Sequence, residues 1–166
     1  MMARAGEVFA IPVDEERVGF GQVVPHPYAF YVIIFQRITE RPVDVSLAEL
    51  VQDEIALFGQ TSDVSLEHGE WKVVGKVPDF QELPRPYYHV YREGKDVLED
   101  FEGNYVRDAT MEDTRYYESR TSHSPDLFAQ ALKALHGIDP WEAEFEQISI
   151  EHAWRQALDL ANLESQ

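Results

Sequence analysis

Apolar and polar positions alternate from the first residues of the chain. Gly6-Glu7-Val8-Phe9-Ala10-Ile11-Pro12 and Gly19-Phe20-Gly21-Gln22-Val23-Val24 read as two short strands around a charged turn, Val13 to Arg17. A period of two puts every second side chain on one face of a strand. Glycine inside a strand marks a bulge, a bend or a close approach of backbone. A strongly bent opening hairpin suits a small SH3-like barrel. Tyr28 to Ile38 follows, dense in aromatic and β-branched residues, and reads as a buried strand. Pro25 and Pro27 mark a loop before it, and Arg41-Pro42 closes it.

The pattern then changes period. Ser46 with Glu49 forms a capping-box spacing, and Leu47, Leu50, Val51, Ile55 and Phe58 recur near helical intervals up to Gly59. This predicts a helix over 46–58. A second strand set begins at Gly69, where Trp71, Val73, Gly75 and Val77 share one face. Pro78, Pro84 and Pro86 then punctuate a loop. Tyr87 to Arg92 and Asp96 to Phe101 pair around Glu93-Gly94 as a hairpin, and Asn104 to Arg107 adds a short strand.

Helical signals dominate from Thr110, which can cap a helix with Asp113. Ser124-Pro125 is a second start, with Leu127, Phe128, Ala131, Leu132 and Leu135 as its apolar face and Gly137 as its stop. Asp139-Pro140 repeats the device. Ser149 to Leu163 is predicted as a last helix with Ile150, Ala153, Trp154, Ala157, Leu158 and Ala161 facing inward. The expected architecture is α+β: a β-rich, barrel-like part over 1–108, with one helix, packed against a helical part over 109–166 as one structural unit.

Charge changes the picture more than composition does. The 166 residues carry a formal charge of −17, and the chain has 44% apolar residues and no cysteine. Disulfides and thiolate metal sites are thereby excluded. Residues 1–92 are net −6 and residues 93–166 net −11. Nucleic acid and anionic membrane are poor partners for such a chain, because neutralising phosphate needs Lys and Arg. A basic protein is a good one, since opposite potentials steer encounter. No apolar run reaches the 18 or so residues of a membrane span. The N-terminus lacks a basic-then-apolar signal pattern, so a cytoplasmic location is expected.

Candidate chemistry is sparse. His26, His68, His89, His123, His136 and His152 share no tight spacing, and the H-E-x-x-H arrangement is absent. No G-x-S-x-G elbow presents a nucleophile. Gly19-x-Gly21 lacks the third glycine and the following helix of a dinucleotide loop. No catalytic residue, metal or cofactor is therefore assigned. Tyr87, Tyr88, Tyr91, Tyr116 and Tyr117 suit a sheet core and its rim, and could also line a peptide groove. Trp141 lies among Glu142, Glu144 and Glu146. An aromatic anchor within a charged rim has the composition of an interface hot spot.

Gly6-x-Val-Phe-Ala-Ile-Pro12, Gly19-Phe-Gly-Gln-Val23 and Gly69-x-Trp71-x-Val-Val-Gly75 with its following prolines resemble the immunity protein 26 family over roughly residues 5–90. The Ser124-Pro125 helix and Gly137-x-x-x-Trp141 extend the likeness. The resemblance implies an antitoxin-like protein of a bacterial polymorphic toxin system, one that binds and neutralises a partner toxin. It brings no catalytic residues. With the net charge, it leads to stoichiometric occlusion of a basic toxin by an acidic surface around Trp141, Glu142, Glu144 and Glu146, or by the loop of Asp14, Glu15 and Glu16. The alternatives are a small-ligand- or metal-binding enzyme, with a pocket between barrel and helices using His68, His89 and Tyr91, and a peptide-binding adaptor.

Overall fold

The computed structural model describes residues 4–161. Its strands are β1 (Glu7–Pro12), β2 (Arg17–Val24), β3 (Tyr31–Glu40), β4 (Ile55–Gln60), β5 (Lys72–Lys76), β6 (Tyr88–Arg92), β7 (Lys95–Glu99) and β8 (Tyr105–Asp108). Its α-helices are α1 (Leu47–Leu50), α2 (Val64–Glu67), α3 (Met111–Tyr116), α4 (Pro125–Leu135) and α5 (Ile150–Gln156). A 3-10 helix spans Ala143–Ile148. The fold is mixed α+β with antiparallel sheets. Up to Glu82 and again over Ser122–Ile150 the chain builds one compact unit; Leu83–Thr121 and the residues from Glu151 build a second.

The first unit centres on a five-stranded sheet in the order β4-β3-β2-β1-β5. The opening hairpin forms as expected, with Phe9 opposite Gly21 and Ile11 opposite Gly19. The Val13 N–H donates to the Arg17 carbonyl across the turn. The register between β2 and β3 breaks between Gly19 and Gly21. Gly21 is required there: a Cβ would lie 2.5 Å from the Phe9 ring and 2.8 Å from the Ile33 carbonyl oxygen. The sheet does not close. Among the described residues β5 pairs with β1 alone, and β4 is met beyond β3 by single bridges at Leu57–Ser149 and Gln60–Ser122. The expected strongly bent, barrel-like part is thus an open, bulged sheet.

One sheet face carries Phe9, Ile11, Val32 and Ile34 against Phe128, Ala131 and Leu132 of α4 and Phe145 and Ile148 of the 3-10 helix. α4 starts as its sequence dictates. The Ser124 hydroxyl accepts the Asp126 N–H, and Pro125 occupies the first turn. At the other end, the His136 Nε2–H donates to the Gln36 carbonyl at 2.6 Å and ties the helix to β3. The other face buries Val8, Phe20, Tyr31, Ile33 and Phe35, together with Leu50 and Val51. Buried Gln22 donates to the Val77 and Asp79 carbonyls, and Gln81 donates to those of Val51 and Asp53. These bonds hold the proline-rich loop to the sheet.

The helix expected over 46–58 is corrected. Ser46 does cap a helix, accepting the Glu49 N–H, but α1 ends at Leu50. Ile55-Ala56-Leu57-Phe58 is instead strand β4, with Ile33 opposite Phe58 and Ile34 opposite Leu57. A short continuous apolar run satisfies helical spacing and a two-sided buried strand equally well. Burial on both faces of the sheet decides for the strand. Gly59, expected as a helix stop, lies under the Phe128 ring.

In the second unit, β6, β7 and β8 form a three-stranded sheet. Its hairpin turns at Glu93 (φ 53°) and Gly94 (φ 85°), the left-handed pair of a tight hairpin turn. Buried Glu99 takes ion pairs from Arg92 and Arg120, and Arg120 also stacks 4.3 Å over Tyr88. Thr110 and Asp113 complete the expected capping box at α3. The last helix is shorter than its predicted range, ending at Gln156, and Trp154 is 39% exposed rather than inward; Ala153 and Gln156 face in. Gln156 accepts the Glu118 N–H and donates to the Tyr116 carbonyl, bonds that an apolar periodicity cannot show. Leu163 lies outside the described residues.

Candidate partner-binding surface

The acidic segment after α4 does not continue as a helix from Asp139-Pro140. It turns and bends over 136–139, reaches an extended Glu142 without regular structure, and then enters the 3-10 helix. In 3-10 geometry residues three apart share a face. Phe145 and Ile148 therefore face the core, and Glu144 and Gln147 face solvent, in place of the expected alignment of Glu142 with Glu146 four apart. Glu142, Glu144 and Glu146 are all exposed. Trp141 is 38% exposed. Its indole N–H donates to the Glu146 carboxylate at 2.8 Å, and its ring meets buried Phe145 edge-on at 5.2 Å. The segment thus presents an aromatic ring held from two sides, rimmed by three carboxylates.

Asp14, Glu15 and Glu16 also lie at the surface, but their roles divide. One Asp14 oxygen accepts the Glu16 and Arg17 N–H groups at 2.9 and 2.7 Å, and the other pairs with the Arg17 guanidinium at 2.7 Å. Those bonds, the Arg17 side chain first, hold the Asp14 carboxyl below the usual carboxylate range. Asp14 builds the turn, and Glu15 and Glu16 are its outward charges. Among the described residues no hydrogen bond or ion pair joins this turn to the 141–146 segment.

The histidines serve local structure. His68 ends α2. His26 is buried and its Nδ1 accepts the Ala29 N–H at 3.0 Å. The His89 Nδ1–H donates to the Tyr117 carbonyl, which leaves Nε2 to accept from the Ser119 hydroxyl at 3.1 Å. Among the described residues no three His, Asp or Glu side chains gather as a metal site. Of the five tyrosines, Tyr117 is buried with Tyr87 and Tyr116 packed on it, Tyr88 lies under Arg120, and only Tyr91 is strongly exposed.

A groove on the first unit escapes sequence reasoning. Its walls come from β1, β2, the Arg41–Val43 loop and the start of β5. Four separate segments supply it, so no local spacing signals it.

A model of the family described as immunity protein 26 matches residues 4–95, more than half the chain. The chain belongs to the immunity protein 26 family. Neither a curated protein nor a solved structure matches it. The family is one of toxin immunity proteins, which implies a toxin as the binding partner. The matched stretch of this family member runs from before β1 into β7 and includes Asp14, Glu15 and Glu16, whereas Trp141 and its glutamates lie beyond it. No helix among the described residues is long and apolar enough to cross a membrane.

Proposed function

We propose that this immunity protein acts without catalysis, by stoichiometric occlusion of a basic toxin through the acidic ridge of Trp141, Glu142, Glu144 and Glu146. The observation that carries the reading is the held indole of Trp141 among exposed carboxylates. An aromatic ring fixed by Glu146 and Phe145 loses little conformational freedom on binding, and the rim charges complement a basic surface. The net charge of −17 extends that field over the whole chain and steers a cationic partner toward it. Glu15 and Glu16 at the hairpin turn supply a second acidic contact on the same unit.

The test is co-expression with the product of the neighbouring gene, taken as the candidate toxin. The wild type co-purifies with it, and Glu142→Lys/Glu144→Lys/Glu146→Lys weakens the complex at least roughly tenfold, about 1.4 kcal/mol, with an unchanged circular dichroism spectrum. Full neutralisation by the folded triple variant moves the interface elsewhere. The association rate should fall steeply with salt, because the screening length shrinks from about 10 Å at 0.1 M to about 3 Å at 1 M. An association rate indifferent to salt removes steering from the account.

A further inference from the structure

Leu47 of α1 closes over Gly75, on the sheet face that carries Val8. Nearer the β1–β2 turn the same face opens. Lys72 stands opposite Ala10 in the register and Val18 opposite Pro12, so these four side chains share it. Ala10, Pro12 and Val18 form the floor of a groove of about 410 Å³, and Val43 and Val74 form its walls. Val43 is 41% and Val74 46% exposed. A contiguous, concave apolar patch with a polar border marks a binding site. That border is Arg41, Lys72 and Glu70. Among the described residues neither Arg41 nor Lys72 makes an ion pair. Two cations against one carboxylate leave a single net positive charge beside the groove, on a chain of formal charge −17. The Arg41 backbone is fixed there by its N–H, which donates to the Glu16 carbonyl at 2.8 Å.

We propose that this groove binds a small aliphatic monocarboxylate, with the chemistry of a medium-chain fatty acid. Its alkyl chain lies over Ala10, Pro12 and Val18, between Val43 and Val74, and its carboxylate meets Arg41 and Lys72. The volume is at the lower end of small-molecule sites. Among the described residues no aromatic ring lines the groove, so it rewards burial of alkyl surface rather than stacking. The single net charge at the border matches one carboxylate; a phosphate head, near −2, exceeds it. Protein partners fit less well. The overall charge repels an acidic partner, and a basic one meets Arg41 and Lys72. A ligand with one charge escapes this conflict, because at 0.1 M salt acids more than about 10 Å away are screened while the two adjacent cations are not. The groove shares no residue with the acidic ridge, so its occupancy is independent of toxin binding there.

Isothermal titration calorimetry of the full chain with hexanoate, octanoate and decanoate tests it. Affinity should rise along the series, by up to about fourfold for each methylene that leaves water. Octan-1-ol, with the same tail as octanoate and no charge, should bind at least fivefold more weakly than octanoate. Arg41→Gln/Lys72→Gln should lower octanoate to the level of octan-1-ol and leave octan-1-ol itself unchanged. Val74→Asp, at an exposed position, should weaken both ligands at least fivefold, and it serves should the double variant fold poorly. No binding of any acid at millimolar concentration, an affinity that does not change along the series, or equal affinity of octanoate for the wild type and the variants overturns the proposal. No toxin enters the experiment, so failure here leaves the acidic ridge untouched, and failure of the ridge leaves these outcomes unchanged.

Discussion

Replacing Trp71 by alanine should unfold the first unit at a much lower temperature. Trp71 is 4% exposed and stacks on Phe9 with ring centroids 4.9 Å apart and planes 1° from parallel. Its backbone N–H donates to the Ser65 carbonyl at 3.0 Å, fixing the ring at the start of β5. Leu66 of α2 and Ile11 and Val13 of the opening hairpin share the same cluster. Truncation removes apolar contact from three elements and leaves a cavity that a sheet cannot collapse into, a loss of about 3–5 kcal/mol. For a chain of this length that is roughly 6–20 °C in melting temperature. Trp141→Ala is the control: it forfeits mainly one edge-to-face pair, about 0.5–1.5 kcal/mol. Equal melting temperatures for the two variants would place Trp71 outside the core.

The two tryptophans show where the sequence is transparent. Trp71 is buried as the alternating run from Gly69 predicts, but the expected common face of Trp71, Val73, Gly75 and Val77 does not hold: a bulge shifts the β5 register so that Gly75 lies opposite Val8, and Val73 is 46% exposed. The same reasoning found both hairpins, the Thr110–Asp113 box and the Ser124-Pro125 start, because each depends on residues within four positions of one another. Ile55–Phe58, expected as the end of a helix over 46–58, is a strand for a physical reason. A strand buried on both faces has no polar side, so its run fits a helix or a strand until the partner strand is known. Trp154 was assigned to the core by periodicity, yet the inward positions on α5 belong to Ala153 and Gln156, the latter through hydrogen bonds.

The surface was less legible than the core. The sequence marks Trp141 and its glutamates, since they are contiguous, but not the indole bond to Glu146 that follows from 3-10 rather than α geometry. Asp14 reads as one of three equivalent acids, whereas its carboxylate is committed to the turn. The groove needs Val18, Val43 and Val74 to converge, and that depends on the order β2-β1-β5, which no local pattern encodes.

Arg107→Met should cost the second unit stability in a way that depends on pH. Arg107 leaves β8 and donates to both oxygens of Asp113 at 3.0 and 3.3 Å and to Asp159 at 3.1 Å. The Asp113 side chain is 3% exposed. Burial alone pushes its carboxyl up; the Arg107 bonds and the Thr110 N–H outweigh burial and hold it below the usual carboxylate range. The native state therefore binds fewer protons than the unfolded chain near pH 3–4. The stability this contributes is complete above the ordinary carboxylate range and is lost as pH falls through the native value. In Arg107→Met the burial is no longer opposed by the guanidinium, and a carboxylate remains enclosed without its charge partner. Breaking such a pair costs about 3–5 kcal/mol when fully buried. Arg107 is a quarter exposed, so the lower end, about 3 kcal/mol at pH 7, is expected. Protonation relieves an unpaired carboxylate, so the deficit should shrink at pH 3. Asp113→Asn in the Arg107→Met background should likewise restore part of it at pH 7. Urea unfolding of the four proteins at both pH values reads all these differences. A deficit of equal size at pH 3 and pH 7, unrelieved by Asp113→Asn, would show that Arg107 acts through its packing and not through the charge it brings to Asp113.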